Sequence, residues 1–380
     1  MQIFTPRRLS MLLSAVVAAL LWVVSGTSET VTAARQGVHI TPNGYRMPLM
    51  GMKQTRDESG ALVTSCGQLT IPQVEAARFG RRMSRAMMRI SPQALVDTRA
   101  GVKFEITYTD PDGVGFNDRV TGEARRRALE AAAASWSRVI RGDITIRIHA
   151  AMEEQEQTEE GSTLLAVAGP VDFWLIENVA VPSALAWQIQ RRRNEDTEAD
   201  VEVIANPEIN WDYATNGVSA RDKVSFVYTL IHEIGHGLGF IDSFDHETGT
   251  LMNDPVPFVY DRFLNRTSNR NLAVMNRPDH EVRDDLVSND LFFNGEAAIE
   301  ASRRSIKPLP MIKLYAPNPY EPGSSISHVD QDTYADIRTG LMAPRDFGVG
   351  TDKIDTLTLA IMKDLGYQLV PNAATTAVKN

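Results

Sequence analysis

Cysteine is almost missing from this chain. Cys66 is the only one among 380 residues, so no intramolecular disulfide forms, and packing or a bound metal must hold the fold. A basic excess is missing too: 39 Lys and Arg stand against 48 Asp and Glu, a formal net charge of −9, which argues against nucleic acid as a partner. No repeat recurs at a fixed period, and the polar end from Pro371 to Asn380 carries no lipid-anchor pattern. Beyond the first thirty residues no stretch is long and apolar enough to cross a bilayer. What remains, at 43% hydrophobic, suffices for a substantial core.

The first 33 residues differ in kind from the rest. Arg7 and Arg8 precede a nearly uncharged run from Leu9 to Gly26, then small residues at Val31, Thr32 and Ala33. This is the pattern of a secretory signal peptide, with a mature chain beginning near Ala34 and an extracellular or periplasmic destination. A retained membrane anchor is the alternative reading of the same run. Residues 34–100, basic and methionine-rich around Arg81 to Arg89, read as a leader: a pro-segment, or an extension packed on the main domain. Residues 101–370 form the main domain and 371–380 a polar tail.

From Val102 the pattern becomes regular. Val102–Tyr108 reads as a strand, Asp110–Gly113 as a turn, Ala124–Ile140 as a helix capped by Thr121, and Ile144–Ala150 as a half-buried strand. Glu153–Glu160 reads as a solvated loop. Leu164–Ala168 and Val171–Ile176 read as short strands, Ala184–Arg193 as a short helix or irregular segment, and Asp200–Ala205 as an edge strand, either an ordinary one or one that pairs with an extended peptide.

Residues 232 to 242 read His-Glu-Ile-Gly-His-Gly-Leu-Gly-Phe-Ile-Asp. A capping pattern at Ser219–Asp222 and an apolar stripe through Val224, Val227, Leu230, Ile231, Ile234 and Leu238 place this string on a helix. His232 and His236, four apart, share one helix face and can reach one zinc ion, while Glu233 beside them can take a proton from a metal-activated water. Gly239 is free to adopt a positive φ and end the helix.

A catalytic zinc usually takes three protein ligands. Asp242, His246 and His328 all compete for the third place. Cys66, upstream, is a further donor able to hold the metal in a latent precursor, because thiolate is a strong zinc ligand. His39, His149 and His280 lack partner spacing. The Asp110–Gly113 turn lacks the repeated acids of a calcium loop.

Downstream, Gly323-Ser-Ser-Ile-Ser-His328-Val-Asp330 is followed by Gly340-Leu-Met342-Ala-Pro344 and by a helix from Thr356 to Leu365 ending at Gly366 and Tyr367. With His232, Glu233, His236 and Gly239, these segments resemble the leishmanolysin-like branch of the metzincin zinc proteases, over about 65 residues in two blocks. The resemblance implies His328 as third ligand across an insertion spanning 240–327, with Asp242 as runner-up. It implies Met342 as a hydrophobic floor beneath the metal, and Leu341–Arg345 as a pocket wall where Arg345 bears on specificity. An Asp242 that does not ligate would orient a ligand histidine instead. The implied fold class is α+β, a metzincin-like zincin with an N-terminal mixed twisted sheet plus helices, a more irregular C-terminal subdomain and an active-site cleft between them. The implied activity is that of a secreted endopeptidase with one Zn2+, Glu233 as general base and a protein or peptide substrate. An inert zinc-binding relative and a metallo-exopeptidase are the competing readings. The family's many disulfides are absent here, so its insertion and leader cannot be stabilised the same way.

Overall fold

The computed structural model describes residues 38–69, 87–88, 91–98, 101–154, 163–266, 269–273, 278–305, 307–334, 340–346 and 350–371. Residues 1–33, read above as a signal peptide, most of the acidic stretch after Glu153 and all but the first residue of the tail lie outside them. The chain is mixed α/β. Its centre is a mixed seven-stranded sheet built from β1 (Met50–Arg56), β2 (Leu62–Gln68), β3 (Gln93–Val96), β4 (Phe104–Tyr108), β5 (Ile146–Met152), β6 (Thr163–Pro170) and β7 (Val201–Ala205). The spatial order is β2-β1-β6-β7-β5-β4-β3, with β4, β5 and β7 parallel to one another and the remaining pairs antiparallel.

Helix α1 (Gly122–Ser137) presents Ala128, Leu129, Ala132, Ala133 and Trp136 to the core. It contacts β4 and the central α3 (Phe226–Gly237). Helix α2 (Ser183–Gln190) follows a β-hairpin, while α4 (Asp279–Leu286) and α5 (Glu296–Arg303) decorate the region after α3. Helix α6 (Thr356–Leu365) is capped by the Asp355 carboxylate, which accepts from the Leu357 and Thr358 amides, and it ends at Gly366 with φ 124°. These six helices are those of the described residues, and none is long and apolar enough to cross a membrane.

Several expectations need correction. Asp200–Ala205 offers no open edge: β7 is paired on both sides, to β5 and β6. The central helix begins not at Ser219–Asp222 but after Ser225, whose hydroxyl accepts from the Tyr228 amide. The start is delayed because Val224–Ser225 first pairs with Trp211–Asp212, and Asp222 takes a left-handed φ of 64°. Thr121 does sit at the start of α1, but its side chain caps nothing there; its hydroxyl donates to Asp118 instead. The helix ends at Ser137, and Ile140 belongs to a short strand paired with Gln368–Leu369.

Candidate metal centre

Every residue of α3 is buried, including the polar side chains of Thr229, His232, Glu233 and His236. After Gly237 the chain turns sharply. The Gly239 amide donates to the His236 carbonyl at 2.9 Å, the Phe240 amide to the Gly235 carbonyl at 3.1 Å, and Gly239 has a φ of 113° that an L side chain rarely adopts. The turn brings the Phe240 carbonyl back onto the ring of His236.

Three imidazoles meet here. Nδ1 of His232 lies 2.7 Å from the Leu341 carbonyl, Nδ1 of His236 lies 2.7 Å from the Phe240 carbonyl, and Nδ1 of His328 lies 2.9 Å from the Ser324 carbonyl. A carbonyl only accepts, so each Nδ1 carries the proton and each Nε2 is left with a lone pair. Yet the Nε2 atoms of His236 and His328 stand 3.1 and 3.3 Å from Nε2 of His232. Two lone pairs at that distance repel; a cation between them turns the repulsion into ligation. Tetrahedral zinc with Zn–N of about 2.0–2.1 Å separates two nitrogens by about 3.3 Å and a nitrogen from a thiolate sulfur by about 3.5 Å. The Cys66 sulfur lies 3.7 Å from Nε2 of His236, and the four donor atoms of Cys66, His232, His236 and His328 all lie within 4.8 Å of one another. The donor set therefore fits a metal ion. Burial lowers the pKa of His232 to about 4, that of His236 to about 3 and that of His328 well below its ordinary value, which keeps all three rings neutral, as ligation requires. It pushes the Cys66 thiol up, and the neighbouring Glu233 adds to this while Lys53 opposes it.

Glu233 lies beside this cluster and is fully buried. Its Oε1 accepts from the Met52 amide on β1 at 2.7 Å, and its Oε2 from the Ala168 amide on β6 at 3.0 Å. Burial raises its pKa well above the ordinary carboxylate value, and the two amides oppose that rise. The β1–β2 hairpin, from the leader region, is thus wedged between two walls. β1 pairs with β6 on one side. On the other, the Cys66 amide of β2 donates to the Pro344 carbonyl at 2.6 Å and the Gln68 amide to the Pro322 carbonyl at 2.8 Å. Ser65 bridges Arg345, so β2 lies against Pro344 and Arg345.

Of the third-ligand candidates, only His328 joins the cluster. Asp242 contacts none of the three rings by hydrogen bond; its carboxylate accepts from the Ser327 hydroxyl at 2.6 Å and the Phe244 amide at 3.0 Å. His246 stacks on Tyr320 at 4.0 Å. Met342 packs where a Cβ on Gly235 would meet its sulfur at 2.8 Å, and its carbonyl accepts from the Val329 amide at 2.9 Å. The Asp110 carboxylate serves the Phe116 and Met152 amides. The Met52 and Ala168 contributions were missed because a backbone amide leaves no mark in side-chain identity. The one available signal was Gly51 inside a strand pattern, a mark of close backbone approach; a Cβ there would lie 2.4 Å from the Ala166 carbonyl oxygen.

A protein-family profile described as SPBPB7E8-like matches residues 180–295. This span contains His232, Glu233 and His236 but neither Cys66 nor His328. No curated protein and no solved structure matches the chain.

Proposed function

We propose that this chain is an exported zinc-dependent endopeptidase of metzincin-like type, folded here with its leader hairpin held between β6 and the segments that carry Pro322 and Pro344. The observation that carries the reading is the convergence of three unprotonated Nε2 atoms beside a buried carboxylate. His232, His236 and His328 would hold the metal, with Cys66 as a fourth donor while the hairpin stays. A zinc ion held there supplies a Lewis acid that polarises a substrate carbonyl and acidifies water. Glu233 is then the proton acceptor: it takes the proton of the attacking water and hands it to the leaving amine. Ala168, on the strand that β1 now covers, holds the carboxylate through Oε2, so withdrawal of Met52 frees Oε1 without releasing the side chain. The same withdrawal opens the β6 edge to an extended peptide backbone. Substrate is protein or peptide.

The test is casein cleavage by protein freed of the hairpin, with and without chelator, for wild type and Glu233→Ala. Loss of hydrolysis with retained zinc in the variant supports the reading; unchanged hydrolysis removes Glu233 from the mechanism.

One observation favours a second reading. Four protein donors with no open position are the mark of structural zinc, and Cys66 completes such a set. An inert zinc-binding protein would show no hydrolysis even after the hairpin is removed.

A further inference from the structure

The third ligand is presented by an unusual loop. Ile326, two residues before His328, is fully buried and has a φ of 73°, a left-handed conformation that a β-branched residue adopts only under constraint. Its amide donates to the Tyr315 carbonyl at 2.7 Å, and its carbonyl accepts from the Tyr260 hydroxyl at 3.0 Å. The next residue, Ser327, forms a closed two-bond clasp with Asp242, which is 85 positions away: its hydroxyl donates to Asp242 Oδ2 at 2.6 Å and accepts from the Asp242 amide at 2.9 Å. Asp242 is itself pinned by the Phe244 amide on Oδ1, and it follows closely on the Phe240 carbonyl that orients His236. One short segment after α3 therefore grips two of the three ligands, His236 directly and His328 through Ser327.

We propose that Asp242 is a positioning residue for the third metal ligand: by clasping Ser327 it holds the strained 324–328 loop in the register that brings Nε2 of His328 to Nε2 of His232. The inference rests on the metal-binding reading. It gives the region between the second and third ligands a task, since Asp242 and Tyr260 both lie in it and both bond the loop. Partners of this kind, one bond removed from the ligand, typically change metal affinity by about 10- to 100-fold when lost.

The experiment uses the full chain and two readouts: zinc affinity by competition with a chromophoric chelator, and the visible absorption of the cobalt-loaded protein, which reports the coordination sphere. Ser327→Ala removes a single oxygen and with it both bonds of the clasp, and Asp242→Ala removes the carboxylate bond while the backbone amide of residue 242 can still donate to Ser327. Both are expected to weaken zinc binding by about 10- to 100-fold and to move the cobalt spectrum toward that of His328→Ala. Asp242→Asn, which keeps an oxygen for the Ser327 hydroxyl, is expected to retain the wild-type spectrum. Wild-type affinity and spectrum in Ser327→Ala overturn the proposal, as does a variant whose metal-free protein melts earlier while its cobalt spectrum stays put. Zinc content unchanged in His232→Ala would instead overturn the metal site beneath it.

Discussion

The Met52 amide and the Glu233 carboxylate, 181 positions apart in sequence, meet at 2.7 Å. The contact uses the oxygen a general base needs free, and it is made by the same hairpin that sends Cys66 to the histidines. Under the proposed function this amounts to two separate blocks, one on the metal position and one on Glu233. Replacing Cys66 by Ala lifts only the first, so casein hydrolysis by the full-length variant is expected to stay low. Excising residues 46–68 lifts both and is expected to raise the rate by about 10²-fold or more, the usual worth of a positioned base. Full activity in Cys66→Ala alone would show that the Met52 contact does not restrain Glu233.

The parts of this arrangement that were legible in the sequence are those set by local periodicity. The His232–His236 spacing, the helix from Thr356 to Leu365 and the core face of α1 all follow from side chains recurring at helical intervals. What was not legible depends on pairing over distance. The β1–β6 register joins Gly51 to Val167, and nothing local in either strand specifies the other. The same holds for β7: its near-complete burial reflects neighbours on both sides, so a short apolar strand read as an edge turned out to be interior. His328 was singled out only through the family resemblance, because the loop that carries it is irregular and its φ at Ile326 runs against residue preference.

Metal removal is expected to cost stability. Without a cation, the lone pairs of His236 and His328 face that of His232 at 3.1 and 3.3 Å, and all three residues are buried. Zinc at a hundredfold excess over its dissociation constant stabilises by about 2.7 kcal/mol relative to the metal-free protein. Thermal melts with zinc and with chelator should therefore differ, and the gap should vanish in His232→Ala. Coincident wild-type melts would mean that the four donors hold no metal.

Two glycines of α3 should respond differently to alanine. Alanine gains about 1 kcal/mol of helix propensity over glycine at either place. At Gly237 the new Cβ would sit 2.4 Å from Cγ1 of Val201, on a central strand that cannot retreat; overpacking of this kind costs about 1–3 kcal/mol, so Gly237→Ala is expected to be destabilised on balance. At Gly235 the nearest obstacle is the Met342 sulfur at 2.8 Å, part of a flexible side chain that can move, while the Trp136 ring at 3.3 Å needs to give by only a few tenths of an ångström. Gly235→Ala is expected to keep its stability while shifting Met342. Urea denaturation of the two variants checks the order, and equal losses would contradict it.

His149 supplies an acid-sensitive element away from the metal. It lies on β5 opposite Glu202 of β7, is 9% exposed, and its pKa is lowered to about 4 by burial and, secondarily, by Arg147. In the unfolded chain the ring titrates near 6.5. Between those values the unfolded state binds the proton and the folded state does not, so stability falls as pH drops from about 6.5 to about 4 and levels off below. At pH 5 the loss from this one group is on the order of 2 kcal/mol relative to pH 7. His149→Gln has no such proton to bind, whereas the ligand histidines titrate in both proteins and cancel in the comparison. Denaturation midpoints at pH 7 and pH 5 should therefore converge in the variant relative to wild type; parallel losses would show that His149 does not carry the acid dependence.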